Sequence, residues 1–122
     1  MFKKRKFQDV NFLELIPERN SKWEVEGEMV IILHPKFRNK LLVKTILPLM
    51  SKPNWKIRLD DIGSWVWQHC DGKRTVQEIG MELEESFGER VKPVFDRLAK
   101  FFQKLEESKF ITFVNLPFAK KS

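Results

Sequence analysis

One cysteine, two histidines and five glycines are spread over the 122 residues of this chain, so residues that usually carry site chemistry are scarce. Cys70 alone cannot close an internal disulfide, which fits a reducing compartment. His69, Cys70 and Asp71 are consecutive, so while helical they point about 100° apart and cannot form one metal site, and His34 is the only other histidine. The glycines form no phosphate-binding loop, and no nucleophile elbow or paired His-carboxylate motif occurs. The longest unbroken apolar run, Met29 to Leu33, falls far short of the roughly 20 residues of a membrane span. The opening MFKKRKF lacks the apolar stretch of a secretory signal. These absences predict a cytoplasmic protein that is not an enzyme, with no cofactor and no metal.

Charge is plentiful and unevenly placed. The net charge is +6, and from Met29 to Leu59 seven basic residues, Lys36, Arg38, Lys40, Lys44, Lys52, Lys56 and Arg58, meet no acid. Between Asp60 and Glu107 seven basic residues face eleven acidic ones, a balance of −4. The first stretch predicts a local electropositive surface, and Lys3 to Lys6 a basic arm.

Local patterns predict the elements. Trp23-Glu24-Val25-Glu26 alternates as a half-wet strand should, and Gly27-Glu28 turns it into the apolar run 29 to 33, giving a hairpin over roughly 22 to 34. Residues 37 to 47 suit a short amphipathic helix ending before Pro48. Trp55 to Leu59 alternates again, with Trp55, Ile57 and Leu59 toward a core and Lys56 and Arg58 outward. Asp60 caps a helix near 61 to 70. Asp71-Gly72 stops it, and Thr75-x-x-Glu78 is a capping box that opens the next helix, near 76 to 87. A third helix near 90 to 107 accommodates Pro93 in its first turn, and Phe110 to Val114 reads as a last strand. The expected fold is α+β and winged helix-turn-helix-like: three N-terminal antiparallel strands, then three helices and a short C-terminal strand, with an extra helix inserted before the third strand. Residues 1–21 are expected as a basic N-terminal extension and 22–122 as the domain.

The run LDDIGSWVWQHCDGKRTVQEI, followed by a helix, an FG turn, a long helix and KFITF, resembles the PqqD family, proteins named for pyrroloquinoline quinone biosynthesis. Residues 55 to 114 carry the resemblance. It departs from compact members in the stretch Lys36 to Trp55 and in the basic arm. The resemblance implies a winged-helix peptide-binding module that holds the leader of a ribosomally made precursor peptide as a strand added beside the third strand and against the last helix. The leader is then presented to a modifying enzyme such as a radical S-adenosylmethionine enzyme.

On that basis the candidate peptide-binding residues are Trp55, Lys56, Ile57 and Arg58 of the third strand and Val94, Arg97, Phe101 and Lys104 of the last helix. Strand 55 to 59 has the character of a sheet edge guarded by charge. The last helix has an apolar arc of about 160°, wider than the roughly 100° a core needs, and Arg90, Arg97 and Lys104 recur every seven residues beside its Val94 and Phe101 margin. Packing of Phe101 under the hairpin or the inserted helix explains that residue equally well.

A winged-helix DNA-binding transcriptional regulator is the alternative. It ranks second because the helix after HCDGKRT contains Glu78, Glu82, Glu84 and Glu85 and no cation, whereas DNA readers neutralise phosphates. A membrane-surface adaptor built on segment 37 to 50 and arm 1 to 7 ranks third, behind a helix that caps the open side of the sheet. Cys70, Trp65 and Trp67 read as packing groups.

Overall fold

The computed structural model describes residues 11–35, 40–52 and 54–116. The strands are β1 (Pro17–Arg19), β2 (Lys22–Glu26), β3 (Met29–Pro35), β4 (Asn54–Arg58) and β5 (Ile111–Phe113). The helices are α1 (Lys40–Thr45), α2 (Asp61–Gln68), α3 (Val76–Phe87) and α4 (Val94–Glu107), with 3-10 turns at Phe12–Glu14, Leu47–Leu49 and Gly88–Val91. The α+β class, the hairpin, the third expected strand and the three compact helices are present, with α2 ending earlier and α4 starting later than the sequence patterns placed them. The basic arm 1 to 7, Lys36 and Arg38 fall outside the described residues.

β2, β3 and β4 form an antiparallel sheet in that order, so β4 is an edge of the sheet among the described residues. The hairpin turns at Gly27, whose φ of +66° suits a residue without Cβ. The register pairs Ile32 with Ile57 and Leu33 with Lys56. Val30 and Ile32 point from β3 into one core with Val66 and Trp67 of α2, Ile79 and Leu83 of α3 and Leu98 and Phe102 of α4. Trp23 of β2 meets Trp67 edge-on at 6.4 Å. Each fully buried aliphatic or phenyl side chain contributes about 1.5–3 kcal/mol, which makes this shared face the main source of stability.

Residues 11 to 21, read from sequence as part of an extension, contribute structure of their own. β1 pairs with β5, Pro17 opposite Phe113 and Arg19 opposite Ile111, and Leu15 is buried in the core. The Asp71-Gly72 turn lies against the other side of β1, the Gly72 amide donating to the Pro17 carbonyl at 2.9 Å and the Arg19 amide to the Cys70 carbonyl at 3.1 Å. A Cβ on Gly72 would sit 2.7 Å from the Glu18 carboxylate, and φ there is +77°. α2 already ends at Gln68 with His69 as its C-cap, ahead of the expected Asp71-Gly72 stop, and the turn instead fixes the two-helix corner onto the β1–β5 strand pair.

The third helix starts later than the sequence predicted. Pro93 stands at the N-cap of α4 and Gly88–Val91 is a 3-10 turn, so Arg90 does not belong to the helix. Proline is tolerated at either position, and the local pattern does not distinguish them. α3 and α4 approach closely at Gly80, where a Cβ would fall 2.3 Å from Phe95 Cε1.

Candidate functional site

The ladder decides which backbone groups β4 offers. The Leu59 amide donates to the Val30 carbonyl at 2.9 Å, so residue 59 and, by alternation, 57 and 55 turn their amides toward β3. The amides and carbonyls of Lys56 and Arg58 consequently point away from the sheet. No strand pairs with that side of β4 among the described residues.

The end of β4 is held over α2 by one buried hydroxyl. Ser64 Oγ accepts the Val30 amide at 2.7 Å and donates to the Leu59 carbonyl at 3.2 Å. Asp60 caps α2, its Oδ1 accepting the Gly63 amide at 2.7 Å. Immediately beyond the end of β4 lies a cleft of about 200 Å³, with Ile62, Val66, Leu83, Val91, Leu98 and Phe101 as its apolar wall and Asp60 and Arg97 as its polar groups. Phe101 reaches across to the start of α2, where a Cβ added to Gly63 would be 3.5 Å from its ring.

The candidate residues fall into three groups. Arg97 and Phe101 line the cleft, and Phe101 is half-buried against the core. Lys104 is exposed one helical stretch further along α4, while Val94 is buried in the core and presents little surface to a partner. On β4, Ile57 packs against the core, and Trp55, expected to face it, is 56% exposed. Lys56 and Arg58 face outward, but each is paired across β3 with an acid of β2: Lys56 Nζ lies 3.8 Å from Glu24, and Arg58 bonds Glu26. That hydrogen bond from Arg58 holds the Glu26 carboxyl below its ordinary value.

The electropositive block counted along the chain is thus partly neutralised by residues outside it, which only the sheet register reveals. The expected row of Arg90, Arg97 and Lys104 is also altered. Arg90 pairs with Asp61 at 3.0 Å and lies 5.5 Å over the Phe87 ring, and its carbonyl accepts from the Arg97 guanidinium. Arg97 and Lys104 remain as the cations of α4 beside Phe101.

Sequence reading missed most of the cleft wall, since Ile62, Val66, Leu83 and Leu98 carry only the ordinary signature of a core. The signal available was the glycine at position 63, three residues past the Asp60 cap, where a phenyl ring could lie close to the backbone.

The remaining singled-out groups are structural. Cys70 is buried and its Sγ donates to the Val66 carbonyl at 3.3 Å; burial pushes the thiol up to about 12. His69 stacks on Trp65 with ring centroids 3.6 Å apart, and its Nδ1 lies 2.7 Å from the Trp65 carbonyl. No group of three His, Cys, Asp or Glu residues is arranged to hold a metal among the described residues. Nor is any described helix long and apolar enough to cross a membrane. On α3, Met81 is exposed beside Glu78, Glu82, Glu84 and Glu85, of which Glu82 and Glu84 pair with Arg74 and Lys92, and the helix supplies no cation of its own for a phosphate.

Comparison with curated proteins and with solved structures returned no match. A family model described as coenzyme PQQ synthesis protein D matches residues 47–111, from the turn after α1 to the first residue of β5 and just over half the chain. The match spans β4, the three helices and every residue of the cleft, and on this ground the chain belongs to the PqqD family.

Proposed function

We propose that this protein is a peptide-binding accessory of a biosynthetic pathway, not itself a catalyst. It captures the leader of a ribosomally made precursor peptide as a strand added to the outer edge of β4 and presents it to a modifying enzyme. The observation that carries the reading is that the outward amides of Lys56 and Arg58 stand on an edge strand whose end adjoins the Phe101 cleft. Backbone pairing supplies sequence-indifferent affinity, and side chains beside the strand supply selectivity. With Lys56 and Arg58 already paired, Arg97 and Lys104 are the cations available to acidic residues of the leader, and the cleft takes an apolar one.

Paired proline variants test the edge. Lys56→Pro removes an outward amide and should abolish capture of a precursor leader peptide while leaving the fold. Ile57→Pro removes a ladder bond to Ile32 and should cost about 1–3 kcal/mol of stability. Equal peptide affinity of Lys56→Pro and the unaltered protein would place the groove elsewhere. The DNA-binding reading stays second: the acidic face of α3 argues against a groove-reading helix there, and a footprint on one DNA sequence at physiological salt would reverse the order.

A further inference from the structure

The inserted segment between β3 and β4 has surface chemistry that the peptide site does not use. α1 and the turn Leu47–Leu49 begin ahead of the region matched by the family model or only just inside it. If the segment merely covered the sheet, its large apolar side chains would be buried. Instead Leu49 is 82% exposed, Leu41 67% and Ile46 40%, and Lys44 and Lys52 are exposed among them. The segment from Lys40 to Lys52 itself contains no acidic residue.

We infer that segment 40–52 is a docking surface for an anionic lipid membrane. The choice of partner follows from the residue types. Protein interfaces are depleted in lysine and enriched in arginine and aromatic groups, whereas a surface of leucine and isoleucine flanked by lysines is what an interfacial segment presents to acyl chains and headgroup phosphates. Lysine stems lie along the apolar boundary while their ammonium groups stay with the phosphates. The cleft and the acidic α3 surface described above are lined by residues of α2, α3, α4 and the turns beside them, away from this segment. The surface lies in the connection to β4, and docking would hold the peptide-capturing edge near the membrane.

The full chain is sedimented with vesicles of phosphatidylcholine alone and of phosphatidylcholine and phosphatidylglycerol in equal parts. Binding is expected to the mixed vesicles only, and to fall as salt rises. Ile46→Ser with Leu49→Ser should weaken it about tenfold or more, with at most a small drop in the unfolding midpoint, since Leu49 is 82% exposed and Ile46 is partly covered. Lys44→Glu with Lys52→Glu should weaken it similarly, and this pair decides the matter if the serine variant is less stable. Absence of binding to mixed vesicles would overturn the inference. Binding untouched by either pair would do so too, since it would assign the attraction to the basic arm. Loss of modifying-enzyme binding in the serine variant with vesicle binding intact would make the surface a protein interface and overturn it equally.

Discussion

At the scale of single residues, adjacent phenylalanines of α4 do different work. Phe102 is fully buried, with edge-on contacts to Phe12 at 6.3 Å and Phe113 at 6.2 Å, so Phe102→Ala should cost about 3–5 kcal/mol in denaturant unfolding. Phe101 is half-buried at the cleft, and Phe101→Ala should cost roughly half as much while sharply reducing peptide affinity. Equal stability losses for the two would make Phe101 a core residue and remove it from the site. Ser64→Ala would strip the Val30 amide of its partner inside the protein, at about 1–3 kcal/mol, and loosen the junction between β4 and α2.

Asp71 couples the turn to pH. Partial burial raises its pKa, but the Lys73 and Arg74 amides and the Arg74 guanidinium outweigh that effect and hold the carboxyl below its ordinary value. A depressed folded pKa contributes stability that is present above the unfolded value and lost as pH falls through the folded one. Asp71→Asn should therefore flatten the acid limb of stability against pH, leaving neutral stability lower by about 1 kcal/mol or less because the Arg74 pair is partly exposed. An unchanged acid limb would show that the turn carboxylate is not a source of acid sensitivity.

At the scale of elements, what was legible follows from how local each signal is. The capping box is fully formed, Thr75 Oγ1 accepting the Glu78 amide at 3.1 Å and Glu78 Oε1 accepting the Thr75 amide at 2.9 Å. Its spacing is fixed by one helical turn and can be read from four residues. β1 could not be read in this way, because three residues hold too little alternation to detect and its partner Phe113 stands far along the chain. The ion pairs of Lys56 and Arg58 with Glu24 and Glu26 escaped for the same reason, since they depend on the strand order. Their loss from the pool of unpaired cations sharpens the expectation for α4. Charge reversal of Arg97 together with Lys104 should weaken peptide binding mainly at low salt, by about 0.2–1 kcal/mol for each exposed pair broken. An effect of equal size at high salt would indicate a buried contact instead.

Gly80 shows the limit of reading a helix by its own period. Its neighbours mark α3 as amphipathic, but only the assembled fold places the Phe95 ring over the backbone. Gly80→Ala gains helix propensity and loses more through the clash, for a net cost of about 1–3 kcal/mol.

At the scale of the whole molecule, β1 and β5 join the two ends of the core, and α2, α3 and α4 support one face of the three-stranded sheet. Among the described residues this leaves β4 as an edge with its outward amides on one side and the apolar cleft at its end. That juxtaposition is what the peptide-capture account requires. It is tested most directly by amide hydrogen exchange, resolved by residue, with and without the precursor peptide. The account predicts that the amides of Lys56 and Arg58 exchange freely in the unbound protein and become protected on binding, while those of Ile57 and Leu59 are protected in both states. Saturating peptide binding that leaves Lys56 and Arg58 exchanging as before would contradict it.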